Sequence, residues 1–226
     1  MAKKFYTSDD FPRYDEMDKT NIKICETTNK PNQKLNHKIT LITQTGIDTG
    51  KCCFEVIVNA AATHMHSGGG VCGAIFNGAD YNYLTKYIDY EVSPVEKKYF
   101  GQFRASPGFK LPCKEIIHVN GPSPDNDPSP YSDPNQKEIY YKERLTRSYK
   151  NCLNYCYKRN YHEILMCCIS TSLYGYDPKK GRDIALETCR EWLLEHDNYD
   201  MNIVFNLYQQ NEQQYYFEKI YEYFPF

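Results

Sequence analysis

Residues 56–75, VIVNAAATHMHSGGGVCGAI, set down an apolar β-branched run, a loop with two histidines, three consecutive glycines and a small-apolar run, in that order. Consecutive glycines let a backbone approach a ligand with no Cβ in the way. If a helix begins near Gly70, its first N–H groups and the positive end of its dipole face whatever lies over Gly68, Gly69, Gly70 and Val71, an arrangement that suits phosphate. A second stretch, STSLYGY at 170–176, follows another apolar run and offers further N–H groups with hydroxyls. Two such loops facing each other grip a diphosphate. No GK[ST] follows the glycines and no GxGxxG is present, so neither a P-loop nor a dinucleotide fingerprint is implied.

His64 and His66 lie inside the first loop. Imidazole is the commonest general base near neutral pH, although loop histidines are also ordinary surface groups. His64, His66 and Cys72 sketch a metal site, but no fourth ligand stands at a sensible spacing. No metal and no cofactor are therefore expected. His118, in EIIHVN, is read as structural.

These loops need elements to hold them. FEVIVNA (54–60) and EILMCCIS (163–170) are short apolar runs of the kind buried on both faces of a sheet. KITLIT (38–43), GQFRAS (101–106), EIIHVN (115–120) and MNIVFNLY (201–208) are further strand candidates, with a turn at Pro107-Gly108. Ile22–Ile24 is compatible with a short edge strand. Helices are predicted near Gly70, around Leu84–Tyr90 within an ambiguous Tyr-rich stretch (81–101), and over 137–159, 182–196 and 212–224. In the 137–159 segment Tyr141, Leu145, Tyr149, Cys152 and Cys156 form one apolar face. GPSPDNDPSPYSDP (121–134) and TSLYGYDPKKG (171–181) are loops. Strands alternating with helices predict an α/β domain around a largely parallel sheet, and ligands in such sheets bind beyond the carboxyl ends of the strands. Residues 1–36 form a polar, mainly irregular extension, and 37–226 a single patterned domain.

The chain has 226 residues, 41% hydrophobic and 25% charged, with a formal net charge of -2. That balance gives no electrostatic reason to expect nucleic acid or an anionic membrane as partner. No apolar stretch is long enough for a membrane span, and MAKKFYTSDD lacks the apolar run of a secretory signal. The ten cysteines include no CxxC pair, and several sit in apolar runs. Buried free thiols in a cytoplasmic or nuclear protein are the expectation.

Three ordered segments carry a family resemblance. VIVNAAATHMHSGGGVCGAI resembles the first ligand loop of macrodomains, whose usual form is VNAAN, a short variable stretch, GGGV and a helix. GQFRASPGFKLPCKEIIHVNGP resembles the strand, turn and IIHxVGP segment, and CISTSLYGYDPKKGRDIALETCREWL the second loop and its helix. The resemblance runs from about residue 38 to 224. It implies a three-layer α/β/α sandwich around a mixed, mainly parallel sheet, with ADP-ribose or ADP-ribosyl groups on proteins as ligand. With the near-neutral charge and no membrane-length apolar stretch, no membrane partner and no nucleic acid are expected, and the chain is expected to be a monomer.

On that resemblance Asp48, with Thr49 beside it, reads adenine from a scrambled GDIT motif, GIDTG. Asn59 bonds the distal ribose or caps its strand. Gly68 to Val71 and Ser170, Thr171, Ser172, Leu173 and Gly175 hold the phosphates, with Ser172 in place of a usual glycine. Tyr174 or Tyr176 packs on the distal ribose. The second Asn of VNAAN, which orients ribose or water in hydrolysing members, is Ala62 here, and the Asp that follows GGGV in one hydrolase branch is Cys72. The resemblance thus implies binding with weak or no hydrolysis; the alternative is an ADP-ribosyl or O-acetyl-ADP-ribose hydrolase that uses His64 or His66 in a rearranged first loop.

Overall fold

The computed structural model describes residues 5–94, 101–126 and 128–226. Among them a six-stranded sheet runs in the order β1-β6-β5-β2-β4-β3. The strands are β1 (Ile39–Ile42), β2 (Val56–Ala60), β3 (Phe103–Pro107), β4 (Glu115–Val119), β5 (Glu163–Met166) and β6 (Asn202–Asn206). All neighbours pair in parallel except β3, which lies antiparallel to β4 at the edge. Pro107 closes that edge strand, a place where a missing N–H costs the ladder nothing.

The period-two alternation of each strand sorts its side chains between two cores. Val56, Val58, Ile164, Met166, Ile203 and Phe205 face one layer, built on α4 (Pro134–Arg159), α5 (Pro178–Glu195) and α6 (Gln210–Tyr223). Ile57, Leu165 and Val204 face the other, built on α2 (Gly70–Ala79) and α3 (Tyr81–Glu91). The result is the mixed, mainly parallel three-layer α/β/α sandwich expected. No helix among the described residues is long and apolar enough to cross a membrane.

Some elements differ from the sequence reading. No strand forms at Ile22–Ile24: Ile24 is exposed, and Lys23 N–H makes one isolated bond to the Phe217 carbonyl. The extension is tied down all the same, since Tyr14 is fully buried in the α4–α6 core and Tyr14 N–H bonds the Ile39 carbonyl. A short helix, α1 (Gln33–Asn36), ends it. β5 stops at Met166 rather than Ser170: its last ladder partner is Phe205, and the chain then turns at Ile169–Ser170, where Ser170 takes a φ of +68° that no strand accommodates. α5 starts at Pro178, four residues before the expected point. Asp177 caps it by accepting from Lys179 and Lys180 N–H, and Pro178 is preset for the first turn. Residues 95–100, part of the ambiguous Tyr-rich stretch, lie outside the described residues.

Candidate functional site

β2 and β5 are neighbours whose onward connections lead to opposite sides of the sheet. Their carboxyl ends open a crevice at that switch point. Two adjoining cavities fill it, one of about 290 Å³ beside Ala62 and one of about 360 Å³ beside Asp48. Gly70, Val71, Cys168 and Ser172 line both, so they form one cleft with a shared waist. A larger concavity of about 530 Å³ lies beside Asp15, His37 and Lys38, but at the amino ends of β1 and β6.

The first loop reaches the waist as the N-terminus of α2. Gly69 is the cap, with no side chain bonded to the helix start, and Gly70 has a φ of +59°. Gly68, Gly69 and Gly70 are exposed, so the loop presents backbone. The helix is held close to the Asp48 segment by a glycine crossing. A Cβ on Gly78 would lie 2.5 Å from the Gly50 carbonyl oxygen, and one on Gly50 would overlap the Ala74 carbonyl. Asp48 itself accepts from Gly50 N–H at 2.9 Å and starts the 3-10 turn Thr49–Lys51.

The second loop is shaped by Ser170. Its side chain packs where a Cβ on Gly121 would sit, its hydroxyl is buried without a partner, and its carbonyl accepts from Tyr176 N–H. Ser172 and Leu173 are exposed on the cleft side, and Tyr174 lines the Ala62 half. Gly175, at φ +71°, lies against the Asp125 carboxylate.

The expected site residues divide clearly. Asp48, Thr49, Gly68, Gly69, Gly70, Val71, Ser170, Ser172, Leu173, Tyr174, His64 and His66 all line the cleft. Tyr176 does not: it is 5% exposed and belongs to the core, which separates it from Tyr174. Thr171 turns its hydroxyl to the Cys168 carbonyl at 3.1 Å. Asn59 is fully buried beneath the loop. Its amide nitrogen meets His118 Nδ1 at 2.9 Å and Cys72 Sγ at 3.5 Å, and its side-chain oxygen is buried without a partner.

His118 completes that chain, with Nε2 2.8 Å from Ser106 Oγ. Asn59 donates to Nδ1, so the ring proton is on Nε2. Burial holds the imidazole's pKa down at about 4, which keeps it neutral. Burial likewise raises the Cys72 thiol, which donates to the His66 carbonyl at 3.7 Å.

The two loop histidines are held differently. His64 Nδ1 accepts from His66 N–H at 3.1 Å, while His66 Nδ1 lies 3.6 Å from the Asp89 carboxylate on α3. Asp89 has no signal in the sequence. Nor does the end of β6, whose residues Asn206, Tyr208 and Gln209 line the Asp48 half with Glu212 of α6. Asn206 holds the Asp48 segment by donating to the Ile47 carbonyl and Thr49 Oγ1 at 2.9 and 3.0 Å. Reading the carboxyl end of β6 beside the two strands with unusual loops finds Asn206, Tyr208 and Gln209, but neither Glu212 nor Asp89.

Comparison with known proteins agrees with this architecture. A family model described as Macro domain matches residues 58–185. The bovine protein named ADP-ribose glycohydrolase MACROD1 is 26% identical over 204 residues, covering 90% of this chain and 58% of its own. The chain thus spans little more than half the length of that relative. The macro domain of ganglioside induced differentiation associated protein 2 superposes with a TM-score of 0.80 at 22% identity, covering 98% of each chain. An Oceanobacillus iheyensis macrodomain, a mutant solved with ADPR, gives a TM-score of 0.63 at 27% identity and covers 79% of this chain and 89% of its own.

Proposed function

This chain belongs to the Macro domain family, and on that premise we propose that it binds ADP-ribose and mono-ADP-ribosyl groups on proteins, with weak or no hydrolysis. One observation carries the reading: an uncapped helix N-terminus and a second backbone-rich loop meet at the waist of a single cleft, with a carboxylate at one end. The diphosphate lies at the waist, against Gly69, Gly70, Val71 and Ser172. Asp48 accepts from the exocyclic amine of adenine, a charge-assisted bond. The distal ribose occupies the Ala62 half, against Tyr174.

Slow turnover follows from what that half lacks. Hydrolysis requires a ribose and a water held in fixed relation, and Ala62 has no polar atom to hold either. Cys72 stands where an activating carboxylate would help, but its thiol is buried, raised in pKa and turned to the His66 carbonyl. The protein acts as a monomer on ADP-ribosylated protein in the cytoplasm or nucleus.

A second reading, a hydrolase, is favoured by the His66–Asp89 contact. A carboxylate on Nδ1 orients an imidazole and leaves Nε2 free as a base. Calorimetry with ADP-ribose beside a turnover assay on a mono-ADP-ribosylated protein separates the two. Micromolar binding with a rate at least about a hundredfold below that of an active macrodomain supports the first. Comparable rates, lost in His66→Ala, establish the second.

A further inference from the structure

The two halves of the cleft differ in their charged side chains, and carboxylates stand in one of them only. The Ala62 half holds the α2 N-terminus, His64 and His66. The Asp48 half holds Asp48 and Glu212, and no lysine, arginine or histidine lines it among the described residues. Glu212 occupies the place an anion would take. Its Oε2 accepts from Gln209 N–H at 2.9 Å; burial raises the pKa of the carboxyl, and the Gln209 N–H, the Cys168 thiol and the Tyr208 N–H offset part of that by favouring the carboxylate. These donors surround the start of α6, which would otherwise be a ready anion site.

Resting on the ADP-ribose reading, we propose that Glu212 is a specificity residue: it admits ligands whose adenosine ribose bears free hydroxyls and turns away those with a 2′-phosphate. A carboxylate has about four lone-pair sites and can accept from a ribose hydroxyl beside its protein donors. A phosphate has no proton to donate to it and brings up to about two negative charges. That charge meets two carboxylates in a cavity that no lysine, arginine or histidine among the described residues lines. An acidic residue on the ribose 2′-hydroxyl sorts unphosphorylated from phosphorylated dinucleotides by the same physics.

The test is calorimetry of ADP-ribose and of ADP-ribose 2′-phosphate with wild type, Glu212→Gln and Gln209→Arg. Gln keeps an oxygen for the Gln209 N–H, so the helix start survives. Gln209 is exposed, and arginine there puts a cation into the same cavity without touching the core. In the wild type the 2′-phosphate should weaken binding by about a hundredfold or more. In each variant that gap should narrow to about tenfold. Wild-type binding of both ligands within about threefold overturns the proposal, as does a wild-type gap that neither variant narrows. Binding of neither ligand by the folded wild type sinks the ADP-ribose reading, and this inference with it.

Discussion

At the waist and the Ala62 side the cleft is walled largely by backbone: three exposed glycines, an uncapped helix start and the turn at Ser170 to Gly175. At the Asp48 side it is walled by side chains, those of Asp48, Tyr208, Gln209 and Glu212. Backbone donors survive a change of side chain, so the first half is damaged by additions that block it. Side-chain acceptors vanish on truncation, so the second half is damaged by deletions. The supports differ too. The Asp48 segment is held by the close Gly50–Gly78 backbone crossing, whereas the first loop rests on the buried polar chain Ser106–His118–Asn59–Cys72.

The largest expected effect tests the blocking claim. Gly69→Glu puts a Cβ and a negative charge where the proposed ligand's diphosphate would meet bare N–H groups. The added Cβ would come within 3.2 Å of Leu173 Cδ1, the end of an exposed side chain that can move. The fold should hold by circular dichroism while ADP-ribose binding falls below detection. Normal binding would mean that the ligand does not use this loop.

The next tests the polar chain under that loop. His118 is neutral in the folded protein down to about pH 4, while in the unfolded chain it takes a proton near pH 6.5. Unfolding therefore binds a proton in this window. The contribution is fully present above about pH 6.5 and is lost as pH falls toward 4, on the order of 3 kcal/mol in total. Urea unfolding at several pH values should show that slope, and His118→Gln, which cannot titrate, should lack it. An equal slope in both proteins would assign the acid sensitivity elsewhere.

Truncation of the other half comes third. Asp48→Ala removes a charged acceptor worth roughly 1.5–3 kcal/mol, or about ten- to a hundredfold in affinity. It also removes the bond to Gly50 N–H, so Asp48→Asn is the sharper variant, since asparagine caps as well as aspartate. If Asp48→Asn binds ADP-ribose as tightly as wild type, the carboxylate's charge is not what reads the base.

Backbone loops are the more legible part of this molecule. Glycine runs and strand ends are written in consecutive residues, and the structure brings Gly68 to Val71 together with Ser170, Ser172 and Tyr174 around one cleft. Burial on both faces gives each central strand a continuous apolar run, and the layer order follows. What stays hidden depends on distance in the chain. Asn206, Tyr208 and Glu212 join the cleft only because β6 and α6 fold beside it, and Asp89 of α3 reaches it only through His66. Tyr174 and Tyr176 are alike in sequence, and only the turn at Ser170 sends one outward and the other into the core. Tyr14, in a polar stretch that reads as irregular, is a core residue beside the Arg13–Thr40 antiparallel bridge to β1.

The smallest expected effect on affinity falls at Ala62, and it bears hardest on the contrast between the halves. Ala62 lines the cleft, but its ordering role is through its carbonyl, which accepts from Met65 N–H at 2.9 Å. That bond is backbone and survives substitution. The Met65 it fixes is fully buried at φ +63°, so the loop's shape is set by a strained residue other than Ala62. Ala62→Asn should therefore leave ADP-ribose affinity within about two- to threefold of wild type, as expected for a half-exposed side chain without a bonded partner. Turnover is a separate quantity, because it needs C1″ and water fixed to within about an ångström. Calorimetry on Ala62→Asn measures the first, and the wild-type rate on mono-ADP-ribosylated protein the second. A tenfold or larger change in affinity would mean that side chains, not backbone, govern this half as well.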